Sequence, residues 1–220
     1  MGAAGSRERR TLNRDAIVDA ALALIDDQGI DGLTMRRLGD RLGVDPMAVY
    51  RHFPNKGAVL DGVMERIWAS VDIAGTAHDA RWQERLAVVM HGLRRALLAH
   101  PRAISIVGTR PASGPGLFLL MEQIMGELVD AGLRIDDTSA DLMNALVNYT
   151  VGHVLAEAGD AVGGNEDQHS NLLVVPDRFP NLAAVFNSGW QYDAHRQFDR
   201  ALRSMIDGWP LSAPSTGGTA

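Results

Sequence analysis

Histidine is the side chain best placed to hold a metal or move a proton near neutral pH, and His52, His78, His91, His100, His153, His169 and His195 are spread along the chain. Metal-binding helices set two ligands four residues apart so that both leave one face, as in H-E-x-x-H, and no pair here has that spacing. Gly114 and Gly116 do not complete a phosphate-cradling loop, and no serine sits in a G-x-S-x-G elbow. A different constellation stands out between Thr34 and Lys56. If Val49 points into a core, Phe53 follows one turn later, and Met47 and Arg51 face the other way with Pro46, Ala48 and Tyr50 beside them. That mixture suits base edges, thymine methyls and sugar-phosphate, with Arg51 the candidate for direct base readout. Thr34 and Arg36 at one helix start, and Lys56 at another, are placed to meet phosphates and so fix register.

The elements that would hold these residues are helices. Apolar residues recur with helical period throughout, and no stretch alternates long enough for a sheet, so the expected fold class is all-α. Asn13 caps a first helix carrying Ile17, Ala20, Ala21, Leu24 and Ile25, which is expected to stop at Gly29. Thr34 caps a second, with Leu33 and Leu38 as a hydrophobic staple, and Gly43 ends it. Asp45 caps a third, Pro46 occupies its first position, and Val44 staples to Val49; it runs to about His52. Two short helices joined at Leu42-Gly43-Val44 and packed on a first have the dimensions of a helix-turn-helix. The same unit is also a common packing motif, so the geometry alone leaves its role open.

Beyond Pro54, Asn55 caps a longer helix that ends near Ile73, and a polar connector covers 75–79. Further helices follow from Trp82 to His100, over 117–130, from Asp136 to Gly159 and from about Tyr192 to Trp209, with a short apolar piece over 103–107. The 136–159 helix is apolar almost all round and must be covered on more than one side. Residues 110–116 and 160–177 read as loops. The domain reading is a flexible arm (1–12), a helix-turn-helix domain (13–60), a helical ligand-binding and dimerisation domain (61–209) and a disordered tail (210–220).

Charge follows the same division. The net charge of -6 opposes nucleic-acid binding, yet residues 1–56 hold nine basic groups against eight acidic ones, and the acidity belongs to the later part. Lys56 is the lone lysine, so arginine, the better bidentate partner of guanine and phosphate, carries nearly all the cationic work. The absence of cysteine rules out a disulfide framework and thiolate ligands. Neither a signal peptide nor eighteen consecutive apolar residues is seen, so the expectation is a cytoplasmic protein with no membrane association.

Residues 12–63, with Gly29 and Gly32, L-T-x-R at Leu33 to Arg36, L-G-V at Leu42 to Val44 and A-V-Y-R-H-F-P-N-K at Ala48 to Lys56, strongly resemble the N-terminal domain of the TetR family of transcriptional regulators. The resemblance implies that Thr34, Arg36, Met47, Ala48, Tyr50, Arg51, His52 and Lys56 contact operator DNA. W-Q-E-R-L from Trp82, A-L-L-A-H to His100, G-T-R-P at Gly108 to Pro111 and V-G-H-V-L from Val151 extend it, more weakly, into the second half. This implies a homodimer on palindromic double-stranded DNA, with a pocket between helices four to eight and an interface from the long eighth helix and the last. Where tetracycline-binding members hold the drug's magnesium with a His and a Glu, this chain has Ile106 and Ala156, which cannot coordinate a metal.

No metal or other cofactor is therefore expected, and the effector is expected to be a small hydrophobic or aromatic molecule. Candidate pocket residues are Trp68, Trp82, Met90, Leu93, Ile106, Phe118, Met121, Met125, Asn144 and Asn148, together with Thr109 and Arg110. For each Met or Leu alone, core packing is the commoner role. Asn144 and Asn148, one turn apart on an apolar helix, need partners that a ligand or a dimer interface would supply. The reading is a non-enzymatic, ligand-responsive repressor; the alternative is a helical small-molecule binder or enzyme whose N-terminal three-helix unit is only structural.

Overall fold

The computed structural model describes residues 12–71, 79–111, 114–158 and 178–210. Among them every regular element is helical. The expectations for 1–11, 75–78, 160–177 and 211–220 lie outside the described residues.

The N-terminal head forms where the caps placed it. The Asn13 side chain accepts from the Ala16 amide at 2.8 Å and opens α1 (Arg14–Gly32). The chain leaves helical geometry at Gly29, whose φ of 73° suits glycine, but a last turn follows, so the helix kinks there instead of ending. Thr34 caps α2 (Met35–Leu42) by accepting from the Arg37 amide at 3.1 Å, with Leu33 and Leu38 both buried beneath it. At Gly43 the backbone turns left-handed, with φ 68°, and α3 (Pro46–Tyr50) begins under the Asp45 carboxylate, which accepts from the Met47 amide at 2.7 Å. The α2–α3 turn is tight enough that a Cβ on Gly39 would lie 2.9 Å from the Val44 carbonyl oxygen. Val49 and Phe53, both 0% exposed, anchor α3 and the turn after it in the core.

Asn55 caps α4 (Lys56–Ala69), whose buried side runs Val59, Leu60, Val63, Met64, Ile67 and Trp68. This helix crosses the 60–61 division read from sequence, so head and body share it. The body comprises α5 (Trp82–Ala99), a 3-10 turn (Pro101–Ala103), α6 (Ile104–Thr109), α7 (Pro115–Asp130), α8 (Asp137–Ala158), α9 (Pro180–Asn187) and α10 (Ala194–Gly208). Head and body also meet at the 3-10 turn. There Arg102 donates to the Asp26 and Asp27 carbonyl oxygens at 3.1 and 2.7 Å, and a His100 ring nitrogen lies 2.9 Å from Asp26. Cations near the end of a helix are favoured by its dipole.

The all-round apolar character of α8 is explained by its neighbours, since it packs against α5, α6 and α10 together. Asp136 caps it, and hydrogen bonds from Thr138, then Arg134 and the Ser139 amide, hold its carboxyl well below the ordinary carboxylate range. Arg94 of α5 is buried and clasps Glu157 of α8 at 2.6 and 2.7 Å. On α10 the stripe Phe198, Leu202 and Ile206 is buried within the protomer, leaving an outer face of Arg196, Arg200, Arg203 and Asp207. A hydrogen bond from Arg203 is the largest influence holding the Asp199 carboxyl low. The helix α9 lies outside the helices expected from the sequence, and of its side chains only Ala183 is buried.

Candidate nucleic-acid interface and ligand cavity

Burying Val49 and Phe53 forces the other side of α3 outward. Met47 is 63% and Tyr50 42% exposed, Arg51 is exposed, and Pro46 and Ala48 are half-buried beside them. On α2, Thr34 and Arg36 are exposed as well. The arginines of the head fall into two groups. Arg14 lies over the Phe53 ring and donates to the His52 carbonyl at 2.6 Å; Arg37 donates to Gln28 and the Gly32 carbonyl; Arg41 pairs with Asp27, and Arg66 with Asp15 and Asp19. The side chains of Arg36 and Arg51 make no ion pair or hydrogen bond with any described residue. Two uncommitted guanidinium groups beside an exposed Met and Tyr form a surface able to meet an anionic, base-bearing partner. Lys56 is partly committed, because its ammonium donates to the Ile30 carbonyl at 2.8 Å and ties the start of α4 to the end of α1. An ammonium has two further donors for a phosphate. His52 is half-buried; its carbonyl accepts from Arg14 and its amide donates to the Val49 carbonyl at 3.0 Å.

In the body, α4 to α8 enclose a cavity of about 410 Å³. Met64 and Trp68 come from α4, Leu86, Val89 and Met90 from α5, Val107, Gly108, Arg110 and Pro111 from the end of α6 and just after it, Leu117, Met121, Ile124 and Met125 from α7, and Met143, Asn144, Val147 and Asn148 from α8. Of the sequence candidates, Trp68, Met90, Arg110, Met121, Met125, Asn144 and Asn148 line it. Five candidates do not. Leu93 and Ile106 are buried in the core, and Trp82 is half-buried at the start of α5, where its amide donates to the Ala131 carbonyl at 3.3 Å. Thr109 is exposed and turns its hydroxyl back to the Ser105 carbonyl at 2.6 Å, while Phe118 is 57% exposed on the outer side of α7. The common cause is rotation about the helix axis: each is apolar or polar enough for a pocket but leaves its helix in another direction.

Lining residues that the sequence reading missed include Met64, Leu86, Val89, Leu117, Ile124, Met143 and Val147. Met64 is one turn before Trp68, Leu86 one turn before Met90, and Ile124 three residues after Met121, so helical spacing from the residues already chosen was the available signal. Arg110 is the one charged side chain on the described wall. Its Nε and Nη2 both donate to Asp61, at 3.0 and 2.6 Å, and Nη2 also reaches the Gly57 carbonyl at 3.1 Å. The cavity wall is thereby pinned to the first turns of α4.

Family models match both parts of the chain: "Bacterial regulatory proteins, tetR family" over residues 17–63, and "Tetracyclin repressor-like, C-terminal domain" over residues 75–210. The chain belongs to the TetR family. It is a DNA-binding transcriptional regulator of the TetR type, with α2 and α3 as its helix-turn-helix. The chain is 36% identical to the tetracycline repressor protein class C of Escherichia coli, with 90% of each covered. To an HTH-type transcriptional regulator of Saccharopolyspora erythraea it is 32% identical, over 94% of this chain and 89% of that one. Among solved structures, the Streptomyces coelicolor TetR family protein ActR in complex with actinorhodin superposes with a TM-score of 0.75 at 29% identity, covering 91% of this chain and 96% of that one. Ile106 is a buried hydrocarbon and Ala156 an exposed methyl on α8, side chains that offer a metal no donor atom.

Proposed function

We propose that this TetR-family chain is a repressor that binds palindromic double-stranded operator DNA as a homodimer, in the cytoplasm, and leaves it when a small hydrophobic or aromatic molecule fills the cavity. The observation that carries the reading is the continuity of α4. It starts at Lys56 under the surface holding Arg36, Met47, Tyr50 and Arg51, and its second half supplies Met64 and Trp68 to the cavity. A helix of fourteen residues is a rigid rod about 21 Å long. Thr34, Arg36 and Lys56 position the phosphate backbone, and Pro46, Met47, Ala48, Tyr50 and Arg51 meet the major groove, with His52 supporting the end of α3.

Two such heads must lie about 34 Å apart, or a multiple, to enter successive major grooves. A ligand that presses on Trp68 and moves the rod changes that separation, and it acts only insofar as it binds the displaced state more tightly. The second protomer is expected against the outward side of α8, where Leu155 is 54% exposed next to Gly152 and Ala156, together with the polar outer face of α10. No catalytic role is assigned to the chain. The test is selection of bound DNA from a random pool combined with the mass of the protein in solution. The expected result is an inverted repeat bound by two chains, with affinity falling steeply with salt. A sequence without two-fold symmetry, or a chain that remains single on and off DNA, would defeat it.

A further inference from the structure

We propose that the effector is an acid: an apolar, aromatic molecule carrying a carboxylate or an ionised phenol, which binds Arg110 in competition with Asp61. The proposal rests on the reading of the cavity as the effector site and adds the ligand's charge and the device by which it is sensed.

The wall is neutral and mainly thioether and hydrocarbon, apart from the two amides Asn144 and Asn148 and the guanidinium of Arg110. Both asparagines are exposed, and neither side-chain amide has a hydrogen-bond partner among the described residues. A cation entering this space would meet a like charge and no acidic side chain on the described wall. A neutral hydrocarbon would leave a polar group with nothing to contact. An anion would meet a guanidinium able to make charge-assisted hydrogen bonds to it, the stronger kind of polar contact.

Arg110 is able to take a second anion. A guanidinium has five N–H donors, and here Nε and Nη2 are the groups engaged, on Asp61 and Gly57. The Nη1 group makes no hydrogen bond with a described residue. The existing pair is one-sided, since both donors converge on the same Asp61 oxygen rather than forming the two parallel bonds of the strongest arginine-carboxylate pairs. Asp61 is also about one-third exposed, so water supports its carboxylate when the guanidinium turns away.

The competition has a direction that matters for DNA. Gly57 and Asp61 belong to the first two turns of α4, directly after Lys56, and Arg110 is the C-cap of α6. A ligand that draws the guanidinium into the cavity therefore releases the DNA-side end of the rod, while its apolar body bears on Trp68 farther along. By linkage, operator DNA that favours the Arg110–Asp61 pairing weakens acid binding by the same factor that the acid weakens DNA.

The test uses two probes of one shape, anthraquinone-2-carboxylate and anthraquinone-2-carboxamide, at pH 7.5, with the full-length protein. Calorimetry and tryptophan quenching, with Trp68→Phe as the control, read binding; displacement of operator DNA reads release. The carboxylate is expected to bind about ten-fold more tightly than the amide. In Arg110→Met this preference is expected to shrink to within about two-fold, the lost interaction being a charge-assisted one. Asp61→Asn removes the competitor and is expected to tighten carboxylate binding several-fold while leaving the amide unchanged. If both probes bind the wild type equally and both displace DNA, the cavity is the effector site but the acid requirement is wrong. No gain for the carboxylate in Asp61→Asn overturns the competition. If neither probe quenches Trp68 or displaces DNA, the effector-site reading falls and the proposal falls with it.

Discussion

What separates one arginine from another in the head is the company each keeps. Arg14, Arg37, Arg41 and Arg66 are spent on carbonyls, carboxylates and an aromatic ring, which makes them parts of the structure. Arg36 and Arg51 are left to solvent at the same surface, one at the start of α2 and one at the end of α3. Their positions assign them different roles and therefore different mutant behaviour. Arg51→Ala is expected to cost about 1 to 3 kcal/mol of operator affinity and to relax the preference at one base position, as loss of a base contact does. Arg36→Ala is expected to weaken all DNA sequences alike and to lower the slope of log affinity against log salt by about 1, as loss of a phosphate contact does. Titrations of operator and scrambled DNA at several salt concentrations distinguish these outcomes, and identical behaviour of the two variants would refute the assignment.

At the scale of the element, the α2–α3 turn depends on two glycines for two reasons. Gly43 sits at φ 68°, a conformation in which a Cβ crowds the following carbonyl, whereas the space around it is open. Gly39 is ordinary helix, but its missing Cβ leaves room for the Val44 carbonyl. Gly43→Ala is thus expected to cost about 1 to 2 kcal/mol, and Gly43→Asn less, because Asn tolerates the left-handed region. Gly39→Ala is expected to cost about 1 to 3 kcal/mol, since it must push backbone aside. It should also reduce DNA affinity by moving α3 on α2, while Gly43→Asn leaves the affinity near wild type. Denaturant midpoints and operator titrations on the three variants check the comparison.

Across the whole molecule, the body is held by a charge pair that is nearly out of water. Arg94 is 7% exposed and meets Glu157 with three hydrogen bonds of 2.6 to 3.2 Å, joining α5 to α8, with the Phe198 ring of α10 lying 5.4 Å from the guanidinium. Removing one partner strands the other, so Arg94→Ala is expected to lose about 3 to 5 kcal/mol of stability. The double variant Arg94→Met with Glu157→Met is expected to recover most of it, because an apolar pair of similar bulk needs no solvation. Equilibrium unfolding of single and double variants measures this. A double variant as unstable as the single would show that the pair itself, rather than the stranded charge, is what matters.

Local chemistry determined the entries of the head's helices: the caps at Asn13, Thr34, Asp45 and Asn55 and the left-handed glycine at 43 are interactions between residues a few positions apart, and all five are present. A break at Gly29 was legible, though as a helix stop; that the chain only kinks there and makes a further turn to Gly32 was not, because its last residues are held by tertiary contacts such as Lys56 on the Ile30 carbonyl. The cavity was legible only by helix. Which side of α5, α6 and α7 faces inward depends on how neighbouring helices rotate and cross, and this moved Leu93, Ile106, Thr109 and Phe118 away from the wall while bringing in Leu86, Val89, Leu117 and Ile124. The short α9, with Leu182, Val185 and Phe186 exposed, lacks the buried stripe by which the other helices announced themselves. The pairing of Arg110 with Asp61 joins residues forty-nine positions apart, and no period or motif encodes it. Short-range interactions belong to the sequence; the meeting of distant faces belongs to the packing of the whole chain.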